Sequence, residues 1–214
     1  WSENAHEFRL TPWHNDPVTD ASGEAFYLRD EESGHVWSPA AAPRRGTGAY
    51  VTRHGFGYSV FEHTEDGIST ELWVYVALDA AVKFSVLKVR NTSGRPRRLS
   101  ATGYVEWVLG DLRPKTAMHV ITEIEARSGA LLARNANNTE CPDGAALFDV
   151  PVEEVTAEPV PLAVVIYGAE NSSGLLDEAG LPGAVDVADA PGGSSIERGS
   201  DGVWRVQAAP TPRA

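Results

Sequence analysis

ELWVYVALDAAVKFSVLKVRNTSGRPRRLSATGYVEWVLGDLRPKTAMHVITEI, residues 71–124, decides the fold class. Leu72, Val74 and Val76 alternate with Glu71, Trp73 and Tyr75. Leu99, Ala101, Gly103, Val105 and Trp107 alternate with Arg98, Ser100, Thr102, Tyr104 and Glu106. Met118, Val120, Thr122 and Ile124 alternate with His119, Ile121, Glu123 and Glu125. A period of two sends successive side chains to opposite faces of a strand, whereas a helix needs a period of 3.6. Turn residues part the runs: Glu65-Asp66-Gly67, Leu78-Asp79, Asn91-Thr92-Ser93-Gly94 and Arg127-Ser128-Gly129. Strands parted by turns at about ten-residue spacing describe an antiparallel meander or sandwich.

The reading is all-β, a large antiparallel β-sandwich over residues 1–167. Strands are expected near 26–30, 50–52, 57–63, 69–77, 82–90, 98–109, 117–126, 130–134, 145–149 and 162–167. Helix should stay under about 10%, against the usual third of a globular chain. No clean helical stripe precedes residue 150, and only Ser172 to Ala179 suits a short helical turn. Residues 168–214 form an acidic tail rich in Gly, Ala and Pro, with an edge strand at 203–207. Within it, 168–202 offers few large apolar anchors against the entropy of ordering and reads as a mobile loop.

The 214 residues carry a formal net charge of −12. Residues 1–150 hold 15 basic and 20 acidic groups, and residues 151–214 hold 3 and 10, so the tail is the more acidic part. That balance argues against nucleic acid and anionic membrane as partners but leaves neutral sugars open. The single cysteine, Cys141, excludes an internal disulfide and a Cys-based zinc site, which fits a reduced, cytoplasmic setting best, with a disulfide-free exported domain as the alternative. No apolar run reaches the roughly 18–20 residues that span a bilayer, and no signal peptide is visible. The chain opens on Trp1 within a polar, aromatic stretch and reads as a piece of something larger.

Trp1, Trp13 and Trp37 each stand beside polar neighbours: Ser2-Glu3-Asn4, His14-Asn15-Asp16 and Ser38-Pro39. Indoles flanked by amides and acids suit sugars, whose C–H faces stack on rings while their hydroxyls need planar partners. The alternative is that these rings cap a β core with their N–H groups satisfied locally. Arg53-His54-Gly55-Phe56-Gly57-Tyr58 brackets an aromatic with two glycines, which implies a bulge or a close backbone approach. There Arg53 either forks onto a ligand or holds the bulge. Glu106-Trp107, then Asp111, Arg113, Thr116 and His119, spans a strand end and the polar loop beyond it, where sandwiches place ligand groups or plain hairpin charges. His14-Asn15-Asp16, with Asp20 and Glu24, fits neither an EF-hand nor a zinc spacing, so no metal is expected and Asn15-Asp16-Pro17 reads as an Asx turn.

Several of these segments fall in the order of one family. Trp1-Ser2-Glu3-Asn4-Ala5, Thr11-Pro12-Trp13 with Asn15-Asp16-Pro17, and Tyr27-Leu28-Arg29-Asp30 open the series. Trp37-Ser38-Pro39, Arg53-His54-Gly55 with Gly57-Tyr58, Val105-Glu106-Trp107, Thr116-Ala117-Met118-His119-Val120 and the run from Gly129 to Asn135 continue it. Over roughly the first 150 residues the chain resembles the N-terminal domain of glycoside hydrolase family 94. Its nearest likeness is the branch of β-1,2-oligoglucan phosphorylases and cyclic β-1,2-glucan synthases. No match is apparent from about Pro151 onward.

The resemblance implies a super-sandwich of the galactose-mutarotase type that packs on an α/α-barrel catalytic domain and takes part in a homodimer. It also implies a β-glucan oligosaccharide as ligand. Inorganic phosphate would serve the complete enzyme, and this chain would hold no cofactor and no catalytic residue, because the general acid lies in the barrel. By the same resemblance Thr116 to His119 line one edge of the cleft, although the Gln-Arg pair that the phosphorylases carry there is missing. The expected sugar-facing set is Trp107, Arg113, Thr116 and His119 with Arg53 and His54, joined by Trp13 and His14, all at one end of the sandwich. The competing class is a free-standing carbohydrate-binding or structural module.

Overall fold

The computed structural model describes residues 9–13, 18, 22–78, 80–126, 130–139, 144–149, 160–169, 195–198 and 204–208. In chain order the strands are β1 (Glu24–Asp30), β2 (Val36–Trp37), β3 (Tyr50–Gly55), β4 (Tyr58–Glu65), β5 (Ile68–Val76), β6 (Val82–Asn91) and β7 (Arg97–Val105). One helical turn follows, α1 (Arg113–Thr116). Then come β8 (Ile121–Ile124), β9 (Leu131–Arg134), β10 (Ala145–Asp149), β11 (Val160–Ala169), β12 (Ser195–Arg198) and β13 (Trp204–Ala208). They form a five-stranded sheet, β12-β13-β7-β1-β2, and an eight-stranded sheet, β3-β4-β5-β6-β11-β10-β9-β8. Every ladder is antiparallel.

The period-two pattern becomes two facing walls. Leu72 pairs with Leu87 on the large sheet, and both meet Leu28, Trp37, Leu99 and Ala101 of the small one. Trp37 is 0% exposed, so this indole belongs to the core rather than to a sugar surface. Each fully buried Leu or Ile here contributes about 1.5–3 kcal/mol relative to exposure. A second cluster closes the sandwich further along: Leu10, Leu109, Ala133, Ala146 and Phe148, with Phe26, Trp107 and Val120 against it.

The turns confer polarity on the sandwich. At one end Asp66 (φ 48°) and Gly67 (φ 77°) close the β4–β5 hairpin in the two-residue form that demands positive φ twice. Thr92 bonds to the Gly67 carbonyl through both its N–H (2.7 Å) and its hydroxyl (2.8 Å). Arg97, buried, donates to Asp30 of the small sheet and to the Asp66 carbonyl of the large-sheet hairpin, both at 2.6 Å. At the other end Lys83 of β6 pairs with Glu24 of β1.

Several expectations are corrected. β7 stops at Val105 instead of 109, because the following backbone bonds to Gly23 and Leu10. The strand expected over 117–126 is only Ile121–Ile124, since residues 113–116 take a helical turn. Its four side chains are all exposed, so the alternation there marks no buried face. The Arg53–Tyr58 segment does not bulge: β3 and β4 pair without interruption to Gly55↔Tyr58, and Phe56-Gly57 makes a tight tip with Gly57 at φ 80°. Gly55 is required because the Tyr58 ring stands 2.3 Å from where a Cβ would sit. The strand expected at 203–207 is β13, which lies inside the small sheet between β12 and β7 rather than at its edge. β2 and β12 were not anticipated. Asn15-Asp16-Pro17, Ser172–Ala179 and most of 168–202 lie outside the described residues.

Two outcomes follow for stability. Gly67→Ala should cost about 1–2 kcal/mol from its left-handed backbone, and more because a Cβ there meets Ser93 at 2.8 Å; urea denaturation measures it. The buried carboxylates govern the acid limb. Burial pushes Asp30 and Glu65 up, but hydrogen bonds overcome it, from the Glu32 N–H and Arg97 on one and from His35, Thr47 and Gly48 on the other. Asp30 falls from 3.8 to about 2 and Glu65 from 4.5 to about 2. Folded values below unfolded ones mean stability that is complete above about pH 4.5 and lost as pH falls toward 2. Denaturation midpoints between pH 6 and pH 2.5 should drop accordingly, less so in Glu65→Gln, whose starting stability is lower.

Candidate functional site

The site begins where β7 loses its sheet partner. Glu106 N–H donates to the Gly23 carbonyl and Val108 N–H to the Leu10 carbonyl, both at 2.8 Å, and Arg9 bridges to Gly110. Leu109 is buried at φ 46°, a conformation unfavourable for a branched L residue. Two amides hold it there: Asn135 and Asn138 each donate from Nδ2 to the Leu109 carbonyl at 3.0 Å. Asn135 also accepts the Asn137 N–H at 3.1 Å, which shapes the turn after β9.

The chain then enters α1. Leu112 caps it from an extended conformation, and Pro114 occupies the first turn, where the missing N–H costs nothing. Thr116 returns both its N–H and its hydroxyl to the Leu112 carbonyl at 3.2 Å. Gly110 lets the turn approach, since a Cβ there would lie 2.6 Å from Thr116 Cγ2. His119, just past the turn, has Nδ1 2.6 Å from Asn137 Nδ2.

Between this turn and the 135–139 segment lies an open cleft of about 390 Å³, lined by Gly110, Asp111, Lys115, Thr116, His119, Asn135, Asn137, Asn138 and Thr139. Its lining carries amides, hydroxyls, one imidazole and one carboxylate–ammonium pair, interleaved with the apolar parts of the same side chains. Lys115, four residues on and 2.5 Å away, holds the Asp111 carboxyl below the usual carboxylate range, with help from the Leu112 N–H. The two charges offset each other, leaving a neutral hydrogen-bonding surface. Such a surface suits a neutral polyhydroxylated ligand better than an ion.

Of the expected set, Thr116 and His119 line the cleft. Arg113 sits on α1 beside them, its guanidinium paired with Glu106. Trp107 packs half-buried on the second core cluster. Trp13 is 62% exposed, with Arg9 over its ring at 5.5 Å. His14 lies outside the described residues. Arg53 and His54 stand on β3, at the opposite edge of the eight-stranded sheet from β8. The registers nevertheless put them at the same end: Gly55↔Tyr58↔Tyr75↔Phe84 and Ala169↔Ala145↔Arg134↔Ile121 run along that end. The span between the two edges is on the order of 30 Å for an untwisted sheet. Arg53 is engaged bidentately by Glu62, at 2.6 and 2.8 Å, and His54 by Ser59 at 2.9 Å. The two groups therefore share an end but not a cleft.

The sequence reading missed Asn135, Asn137 and Asn138. Three amides within four positions after a strand were the available signal. His35, Glu65 and Asp66 bring ligand-type atoms within 4.8 Å of one another at the far end. There the two Glu65 oxygens are taken up by protein groups, so the trio is a hydrogen-bonded cluster and not an ion cage.

The sequence pattern of the glycosyl hydrolase 94 supersandwich domain matches residues 1–159. The chain belongs to glycosyl hydrolase family 94. It is 36% identical over 190 residues to the cyclic β-(1,2)-glucan synthase NdvB of Rhizobium meliloti (strain 1021), covering 87% of this chain and 7% of that protein. An alignment of that length in 214 residues runs well past Pro151, beyond the end expected from the sequence motifs. The N,N'-diacetylchitobiose phosphorylase of Vibrio furnissii is 31% identical over 114 residues, 52% of this chain and 14% of its own. The solabiose phosphorylase of Paenibacillus borealis is 33% identical over 85 residues, 39% and 11%. The chain thus spans a small fraction of the length of these relatives. Among the described residues, no helix of this family 94 domain is long and apolar enough to cross a membrane.

The amide tethers are testable. Asn135→Ala or Asn138→Ala should each cost about 1 kcal/mol. The double variant should cost more than the sum, because the Leu109 carbonyl then loses both donors. Amide chemical shifts should change along 106–119 and 131–139 while β5 and β6 stay still.

Proposed function

We propose that this domain is a non-catalytic, carbohydrate-facing scaffold of a family 94 glycoside phosphorylase or cyclic glucan synthase, and that it forms one wall of a β-glucan cleft. One observation carries the reading: exposed apolar side chains gather at the end where the polar cleft opens. Phe56, Tyr58, Tyr75, Val76 and Leu78 belong to that end of the large sheet, and Leu112, Met118 and Ile121 flank the cleft. Tyr104 lies at the matching end of the small sheet, beside the Glu24–Lys83 crossing. The opposite end is closed by polar turns. Exposed apolar surface of this extent marks an interface; the occupant we assign is the α/α-barrel portion of the same enzyme, a reading supported by relatives of which this chain spans only 7–14%. Thr116, His119 and Asn137 then face glucose hydroxyls, with Asn135 and Asn138 holding the loop behind them, while Trp107, Trp13, Arg53 and His54 face the barrel. Glucoside cleavage or formation, inorganic phosphate and the general acid belong to that barrel. Homodimer contacts and a cytoplasmic setting complete the proposal.

A free-standing carbohydrate-binding module is the second reading, favoured by the cleft alone. Titration with a β-1,2-gluco-oligosaccharide, followed by residue-resolved NMR, tests the sugar-facing role. Expected are shifts at Thr116, His119 and residues 135–139 with a millimolar or weaker constant, since one wall supplies about −4 kcal/mol at most. Shifts confined to the Glu71–Tyr75 strand would remove the cleft from consideration. The chain alone should release no glucose 1-phosphate from the same glucan; release above a no-enzyme control refutes the non-catalytic assignment.

A further inference from the structure

His63 lies on β4 with its side chain fully enclosed. Its Nδ1 is 3.0 Å from the Ala49 carbonyl oxygen and its Nε2 is 3.0 Å from Glu65 Oε2. A carbonyl oxygen only accepts, so Nδ1 carries a proton. Glu65 Oε2 also receives the Thr47 N–H at 2.8 Å and the Gly48 N–H at 3.3 Å. An oxygen facing two backbone donors has no room for a proton of its own, so Nε2 must donate as well. A neutral imidazole has one N–H, and this ring needs two.

We infer that His63 is an imidazolium in the native protein, buried as an ion pair with Glu65, and that this pair is the latch holding residues 46–50 and edge strand β3 onto the large sheet. The surroundings fit a cation. The Tyr50 ring lies parallel to the imidazole, 3.8 Å away and tilted by 2°. Tyr50 is itself held by its hydroxyl, which donates to the Ser38 carbonyl at 3.0 Å and accepts the Gly46 N–H at 2.8 Å. Two glycines let the strap close on the pair. A Cβ at Gly46 would lie 2.4 Å from Glu65 Oε2 and 2.7 Å from His63 Nε2, and one at Gly48 would lie 3.1 Å from His63 Cε1. The other charged or titratable groups around the pair are His35, with Nε2 2.9 Å from Glu65 Oε1, Asp66 beside them, and Arg45 over the outer face of the Tyr50 region at 5.9 Å. None of these takes the place of the His63 proton, because neither of its ring nitrogens faces them.

The test uses the intact chain with ¹⁵N-labelled histidine at pH 7.5, where a free imidazole is mostly neutral. The His63 spin system is assigned by its through-space contacts to the Tyr50 ring. Expected are two protonated ring nitrogens and two slowly exchanging ring N–H signals. One unprotonated, pyridine-like nitrogen at this pH overturns the inference. Lys or Arg at no neighbouring position can mimic the signature, so a folded sample gives one outcome or the other. A second measurement uses Glu65→Gln: if it folds, His63 should revert to a single ring N–H, and retention of both overturns the role of Glu65 as the counter-charge.

Discussion

A five-stranded sheet and an eight-stranded sheet can coexist in water only face to face, and that closure is the constraint on which the rest of the molecule rests. Leu72 and Leu87 from one wall meet Leu28, Leu99 and Trp37 from the other. Trp37 is set at the short strand β2, where a two-residue pairing with β1 suffices because the indole anchors it from inside. The indole N–H meets no acceptor among the described residues. Packing, with the His35 ring stacked on the indole at 5.6 Å, keeps it in place against the penalty of an unsatisfied donor.

Around that core the two ends of the sandwich differ in chemistry. One is knotted by charged and backbone groups, with Arg97 reaching from the small sheet to a hairpin of the large one and Glu65 gathering the backbone N–H groups of Thr47 and Gly48. The other is crossed by Glu24 and Lys83 and otherwise leaves aromatic and aliphatic side chains in solvent. A single domain does not gain by exposing Phe56 and Leu78 completely. The asymmetry makes sense when one end is a finished surface and the other is an interface awaiting its counterpart.

Much of this was legible in the sequence because strands report their facing side every second residue. Leu72, Leu87 and Leu99 announce the core without help from distant partners. The errors arise where local pattern and tertiary contact disagree. Residues 106–109 continue the alternation of β7, yet their backbone is claimed by Gly23 and Leu10, more than eighty residues earlier. Ile121 to Ile124 continue the alternation as well, but at a sheet edge where no wall covers them. Thr116 and His119 were accessible through likeness to relatives, whereas Asn135 and Asn138 act on a carbonyl 26 and 29 positions away, a pairing no window of sequence displays. Arg53 and His54 were expected beside the cleft from reasoning about strand termini, but strand order, which sequence does not state, puts six strands between β3 and β8.

The cleft hangs from the frame by few threads. Its floor is a loop released from β7, held by two amides on one carbonyl and by a single helical turn. Lining groups such as Lys115, Thr139 and His119 add little to the core, so they can be exchanged without unsettling the two sheets. A scaffold of this kind is evolvable in a specific sense. Its cleft lining can drift while the folding problem stays solved, so one sandwich can carry many different surfaces at this end.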